Sequence, residues 1–334
     1  RTLAWRDCSG PVVARQGWVS VEDSERFVMS KRRIILAGGS GFLGRLLAER
    51  LVSAGDEVVV LTRQPDRTRL NYREVAWDGR TLGPWAEEFE GAHAVINFAG
   101  KNVNCRYTPE ALGEINASRV DSVKVVAAAI RRCARPPQAW IQAGSMAIYG
   151  DAGEALCTED APPGEGIPVD TCLRWERAFA ESPTPGTRRV WLRISFVLGR
   201  RAGALRFLET ITKCFLGGTV GSGRQYISWI HEEDMMRVFQ RALDDPAVEG
   251  VYNVATPHAV PNAVLMRELR RVLNRPWCPP TPAWLMPLGC WLFRTEPVLA
   301  LTGRRGIPAR LTAAGFTFRH PELAGALDDL YRKG

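Results

Sequence analysis

The sequence predicts an α/β fold: a doubly wound parallel sheet with a smaller, mostly helical C-terminal lobe. Three observations carry this expectation. Short β-branched runs alternate with helical stretches from Arg33 onward, a glycine-rich turn separates the first run from the first helical stretch, and Pro276, Pro279, Pro280, Pro282 and Pro287 break the C-terminal part into short pieces.

In chain order, residues 34–36 read as a buried strand and residues 42–54 as a helix closed by Gly55. A strand over residues 57–62 follows, then an irregular stretch containing Trp77 and Asp78, then a strand over 94–98. Val120, Val123 and Ala127 recur on nearby helical turns, which predicts a long helix from about Pro109 to Arg132, ended by Pro136 and Pro137. Residues 139–143 form the next strand. A loop rich in Gly, Pro and acids runs from Gly150 to about Val169, before a helix over 172–181 and a strand over 190–197. The implied division is an N-terminal extension over 1–28, a sheet domain over 29–200 to which 225–256 returns, and a substrate lobe over 201–334 whose last part spans about 275–330. Met29 looks like a natural start, and residues 1–28 show neither clear periodicity nor a targeting pattern.

Composition narrows the class. The chain has 334 residues, 46% hydrophobic and 24% charged, enough to bury a full core. The eight cysteines include no C-x-x-C pair, so free thiols in the cytoplasm are expected and no metal is. The net charge of +8 invites a nucleic-acid reading, but the basic residues are dispersed and not interleaved with aromatics, so no nucleic-acid partner is expected. The apolar run from Ala283 to Phe293 is interrupted by Pro287 and too short to span a bilayer, so no membrane partner is expected either. The partner left is a small-molecule substrate of unknown identity. The oligomeric state is left open.

The chemistry-bearing motif is Gly38, Gly39, Ser40, Gly41, Phe42, Leu43 and Gly44, directly after a strand and opening a helix. Gly38 permits the tight turn, Gly41 lets backbone approach a pyrophosphate, and Gly44 lets the helix pack close to the strand. The helix N-terminus adds aligned N–H groups and positive dipole, which makes this a Rossmann-type dinucleotide site. At the end of the second strand, where an NAD enzyme places an acid, stand Thr62 and Arg63. A hydroxyl and a guanidinium suit the 2′-phosphate of NADP, which a carboxylate would repel. A solvated cation after a strand is the alternative reading of Arg63. Asn97, Phe98, Ala99 and Gly100 close the next strand with small residues that let backbone pass near adenine and ribose.

Together with later motifs, these residues resemble the extended short-chain dehydrogenase/reductases. Gly221, Ser222, Gly223, Arg224 and Gln225, then Ser228, Trp229, Ile230, His231 and Asp234, look like the hallmark of atypical epimerase family proteins that carry a C-terminal domain of unknown function. Gly315, Phe316, Thr317 and Phe318, followed by Pro321, Glu322 and Leu323, are similar to that domain's close. The resemblance spans nearly the whole chain. It implies further cofactor contacts at Glu114, Arg119 and Val197, with a surface Glu/Arg pair as the alternative for the first two.

The same resemblance points to Ser145, four residues before Tyr149, as the hydroxyl that bonds a substrate oxygen. A strand-capping serine is the alternative. The superfamily's Tyr-x-x-x-Lys acid/base pair is missing, since Pro168 and Cys172 stand where it should be if Glu176 is aligned with the glutamate that follows it. Tyr149 is then the expected proton donor, with Cys172, Glu176 and His231 as other candidates. The position of the diphosphate-clamping arginine of sugar-nucleotide epimerases is Ile227, and Arg224 could compensate. Gln225, Trp229 and Trp175 point to a small, flat or apolar ligand. The expected function is an NADP(H)-dependent oxidoreductase acting on a small carbonyl or alcohol compound. A non-catalytic NADP(H)-binding regulatory protein, division-related for example, is the rival.

Overall fold

The computed structural model describes residues 31–66, 71–200, 203–285, 291 and 296–332, so the expectation for residues 1–28 lies outside the described residues. Among the described residues seven strands make the central sheet: β1 (Arg33–Ala37), β2 (Glu57–Thr62), β3 (Arg73–Ala76), β4 (Ala94–Asn97), β5 (Ala139–Ser145), β7 (Arg188–Ile194) and β11 (Gly250–Val254), with β6 (Leu156–Cys157) and β9 (Tyr226–Ile227) as short strands outside it. They lie in the order β3-β2-β1-β4-β5-β7-β11, and every neighbouring pair is parallel. Leu36 pairs with Val60 on one side and Ile96 on the other, which fixes the register at the centre. The chain winds outward from β1 to β3 and then returns to β4, so the crevice between the carboxyl ends of β1 and β4 is the topological switch point where such sheets take ligands.

Helices cover both faces, which explains why the strands read as nearly continuous apolar runs. Ile34 and Leu36 face α1 (Phe42–Ser53) and α5 (Glu232–Asp244), while Ile35 and Ala37 face α2 (Pro109–Arg132) and α3 (Ile167–Ala180). α2 occupies the predicted span because Thr108 caps it, accepting from the Ala111 N–H at 3.2 Å, and Pro109 sits where no N–H is needed. A further core joins α4 (Ala204–Lys213), α6 (Asn262–Val272) and the C-terminal helix Leu323–Arg332 through Leu205, Leu265, Leu269, Leu323 and Leu327, with Leu198 and Trp229 as its contribution from the sheet side. No described helix is long and apolar enough to cross a membrane.

Three elements differ from expectation. The stretch read as irregular contains β3 and a 3₁₀ helix, Pro84–Phe89. β3 is an edge strand with no fully buried side chain, so no apolar run announces it, and Trp77, Trp85 and Phe89 beneath it pack edge to face at 5.5 Å. α3 starts at Ile167 instead of Cys172 because Pro168 occupies its first turn, after Gly166 at φ +108°. The strand expected over 190–197 breaks at Ser195. Beyond it β8 (Phe196–Leu198) leaves the sheet and pairs with β10 (Trp229–His231), delivering Val197 opposite Ile230.

Candidate functional site

The glycine turn is held from both sides. The Gly38 N–H donates to Leu61 O at 2.9 Å and the Gly39 N–H to Leu36 O at 3.1 Å, tying the turn to β2 and β1. Gly38 has φ +68°, and a Cβ there would stand 2.8 Å from the Ala99 backbone. A Cβ on Gly44 would stand 2.2 Å from Gly39 O, so α1 could not sit so close behind the turn. Gly41 differs: a Cβ on it would meet nothing within 4 Å. Protein packing therefore does not require glycine at 41, whereas backbone approach by a diphosphate at the N-terminus of α1 does. Phe42 lies against Gly199, where a Cβ would overlap the Phe42 ring at 2.2 Å, so the turn and the Val197 segment meet. Leu43 is partly buried against the core beneath.

At the end of β2, Thr62 Oγ1 donates to Ser40 Oγ at 3.2 Å, joining the second strand to the turn. Arg63 is exposed, and among the described residues its side chain makes no hydrogen bond or ion pair. At the end of β4, the buried Asn97 Nδ2 donates to Gln142 Oε1 at 3.0 Å, and its Oδ1 accepts from the Ala99 N–H at 3.0 Å. This polar knot, invisible as a motif, sets the path of Phe98, Ala99 and Gly100 past the turn; the Phe98 N–H reaches Ala37 O at 2.8 Å.

The next loop is braced by the two α2 residues named from the resemblance. Glu114 is exposed and paired to the Lys101 ammonium. Arg119 is half-buried; it donates to Lys101 O at 3.1 Å and Ile115 O at 3.0 Å, and its guanidinium lies 5.0 Å from the centre of the Trp175 ring. Burial lowers its pKa from the ordinary arginine value. Both residues thus stand at the carboxyl edge beside Gly100, whose added Cβ would come within 3.2 Å of the Arg119 guanidinium.

At the end of β5, Ser145 is half-buried and its Oγ accepts from the Ala147 N–H at 3.1 Å, so the hydroxyl proton remains available to a substrate oxygen. Tyr149 is 2% exposed. Its hydroxyl is 2.8 Å from Thr158 O, from Asn253 Oδ1 and from Arg193 Nη1, and desolvation raises its pKa. A phenol so enclosed and so fully bonded is built into the core at the carboxyl end of β5. Glu176 belongs to the same network: it holds Arg193 through two bonds at 2.8 and 2.9 Å. Arg193 was not singled out from the sequence, although a cation between Leu192 and Ile194 in a buried strand was the available signal.

Other sequence candidates also serve the frame. His231 caps α5, its Nδ1 accepting from the Glu233 N–H at 3.1 Å, and burial pushes its pKa down to about 4. His231, His320 and Asp329 gather within 4.8 Å, but a capping Nδ1 leaves the imidazole proton on Nε2, the atom that faces Asp329. Trp229 is fully buried, with its Nε1 donating to His258 O, and Gln225 bridges Val220 O and Ala300 O; neither acts as a ligand platform. Arg224 is exposed beside Glu154 and does not reach inward to replace a clamp at Ile227. Trp175 remains near the site through Arg119.

The sequence profile of the NAD dependent epimerase/dehydratase family matches residues 34–255, and a domain of unknown function, DUF1731, matches residues 281–330. The chain belongs to this epimerase family. It is 33% identical over 303 residues to the epimerase family protein SDR39U1 of Mus musculus, covering 89% of this chain and 99% of the relative. The epimerase family protein YfhF of Bacillus subtilis is 31% identical, with 89% and 97% covered. The crystal structure of the human SDR39U1 isoform 2 with NADPH superposes with a TM-score of 0.80 at 29% identity, covering 90% of this chain and all of that one. MoeE5 in complex with UDP-glucose and NAD, at 20% identity and a TM-score of 0.69, shares the fold. The epimerase fold thus brings an NAD(P)-binding Rossmann architecture with it.

Proposed function

We propose that this epimerase family protein is an NADP(H)-dependent oxidoreductase of the cytoplasm that acts on a small carbonyl or alcohol compound. The observation that carries the reading is Gly41, a position where a side chain would meet no protein atom and where a diphosphate needs bare backbone. Ser40, Gly38, Phe42, Leu43 and Gly44 shape that turn, and Thr62 and Arg63 stand at its ribose end. A guanidinium that makes no hydrogen bond or ion pair among the described residues suits a 2′-phosphate, and the NADPH named with the human relative agrees with this choice. Phe98, Ala99, Gly100, Glu114, Arg119 and Val197 would border the remaining length of a bound dinucleotide.

The bound nicotinamide would supply the hydride. This chain's own part is to orient: Ser145 Oγ, held by the Ala147 N–H, directs its proton toward the substrate oxygen. The test is a titration of the full chain with NADPH and NADH, followed by a carbonyl panel read as loss of nicotinamide absorbance. Turnover that falls about a hundredfold in Ser145→Ala with NADPH affinity unchanged supports the reading. The missing acid/base pair at Pro168 and Cys172, with Tyr149 locked in the core, favours a second reading as a non-catalytic NADP(H)-binding regulator. Tight NADPH binding without turnover anywhere in the panel would select it.

A further inference from the structure

Of the four histidines in the sequence, three gather about one cavity of about 410 Å³ beside the C-terminal helix Leu323–Arg332. His320, Glu322, Asp328 and Asp329 line it, together with Arg319 and Arg332. His231 backs onto it with its ring 3.9 Å from that of His320, and His258 Nε2 lies 3.5 Å from Glu322 Oε1. In a chain so poor in histidine, this concentration of imidazole and carboxylate is the donor set of a divalent transition metal.

His231, His320 and Asp329 each offer a ligand atom, and the three atoms lie within 4.8 Å of one another. His231 distinguishes a site from a chance surface cluster. Its side chain is 3% exposed and its Nε2 has no hydrogen-bond partner, although buried polar atoms ordinarily find one. That nitrogen stands 3.6 Å from Asp329 Oδ2, close to the ~3.3 Å that separates two ligand atoms around a tetrahedral zinc ion. The backbone beneath the site is held from inside. Asp234 is fully buried and accepts from the Arg319 N–H and the His320 N–H, both at 2.9 Å, so only the His320 imidazole has to turn to close the triangle.

We propose that His231, His320 and Asp329 bind a divalent ion of the zinc class, which clips the C-terminal helix to the start of α5, with water completing the shell. No local spacing announces a site whose ligands come from positions 231, 320 and 329. Without metal, His231 Nδ1 accepts from the Glu233 N–H and Nε2 keeps the imidazole proton. Coordination through Nε2 releases that proton to solvent while Nδ1 takes one up, and the cap bond to Glu233 is exchanged for a metal–nitrogen bond. Glu322 and Asp328 on the same cavity wall offset the charge of the ion. This site uses none of the crevice residues and stands whether or not the protein turns over a substrate.

The experiment is titration of the full chain, stripped with EDTA and dialysed, with Zn²⁺, Co²⁺ and Mg²⁺. Zinc binds one to one at micromolar concentration and raises the melting temperature, whereas magnesium does neither. Cobalt gives visible ligand-field bands without the near-ultraviolet charge-transfer band of a thiolate, which separates this site from the free cysteines. His320→Ala and Asp329→Asn, both at half-buried positions, each weaken zinc by about tenfold or more and lose the thermal shift. His231→Gln does the same, and where that variant does not fold the other two carry the test. No zinc binding at micromolar metal, zinc affinity unchanged in either His320→Ala or Asp329→Asn, or a thiolate band in the cobalt spectrum overturns the proposal.

Discussion

The two ends of the ligand crevice are built on different principles. At the β1–β2–β4 end, contiguous residues do the work: Gly38 to Gly44 form a turn whose shape is set by backbone bonds to neighbouring strands. At the β5–β7 end, residues far apart in sequence converge, as Tyr149, Glu176, Arg193 and Asn253 do in one buried network. The first kind of site is local and legible. The second tempts a reader of the sequence to name reagents, because a buried brace and a catalyst draw on the same residue types.

The largest effect that probes this contrast comes from the glycines. Gly44→Ala places a Cβ 2.2 Å from Gly39 O and is expected to cost about 3 kcal/mol in thermal unfolding. Gly41→Ala meets no protein atom, so its melting temperature should stay at the wild-type value while NADPH affinity falls by about tenfold or more. A Gly41→Ala protein that melts early but binds NADPH normally would make both glycines packing residues and erase the distinction.

His231 tests whether a catalyst-like residue at the other end belongs to the frame. Its native pKa is about 4 against an ordinary 6.5, so the unfolded chain takes up the proton first as pH falls. The associated stability is present above pH 6.5 and is lost progressively as the pH drops toward 4, to a limit of about 3 kcal/mol. His231→Asn keeps a capping side chain and removes the titration. Its unfolding free energy should therefore fall less steeply than wild type across that window; parallel curves would show that His231 is not held neutral.

Tyr149→Phe leaves Asn253 Oδ1 and Arg193 Nη1 short of a buried partner and should cost about 2 kcal/mol in denaturant unfolding. NADPH affinity and any turnover per folded molecule should be unchanged, whereas a selective loss of turnover would return Tyr149 to the reacting atoms. The smallest effect belongs to Arg63→Asp at the exposed ribose end. NADPH should weaken by about tenfold with little change in NADH or in melting temperature, and equal weakening of both cofactors would contradict the 2′-phosphate role.

Much of the fold could be read directly. β2 and α2 fall on their expected spans because their patterns are complete within themselves: an apolar run, or a capped 3.6-residue period. β3 is illegible in the sequence because this edge strand shows no apolar signature and exists only by pairing with β2. The start of α3 is hidden in the sequence because the Gly- and Pro-rich stretch before Val169 reads as loop, whereas Pro168 sits in the helix's first turn. In the site, the glycine turn, Thr62 and Ser145 lie at the carboxyl ends of their strands, as a local pattern can announce, while Arg193 and Asn253 are revealed only by their neighbours.

By itself the sequence determined that the chain forms a parallel α/β sheet with a glycine turn at its first strand, because backbone freedom and hydrophobic period are properties of consecutive residues. Only the tertiary structure decided which polar side chains are braces and which face the crevice. That choice depends on desolvation and on partners supplied by strands and helices more than a hundred residues away, as Asn253 supplies Tyr149.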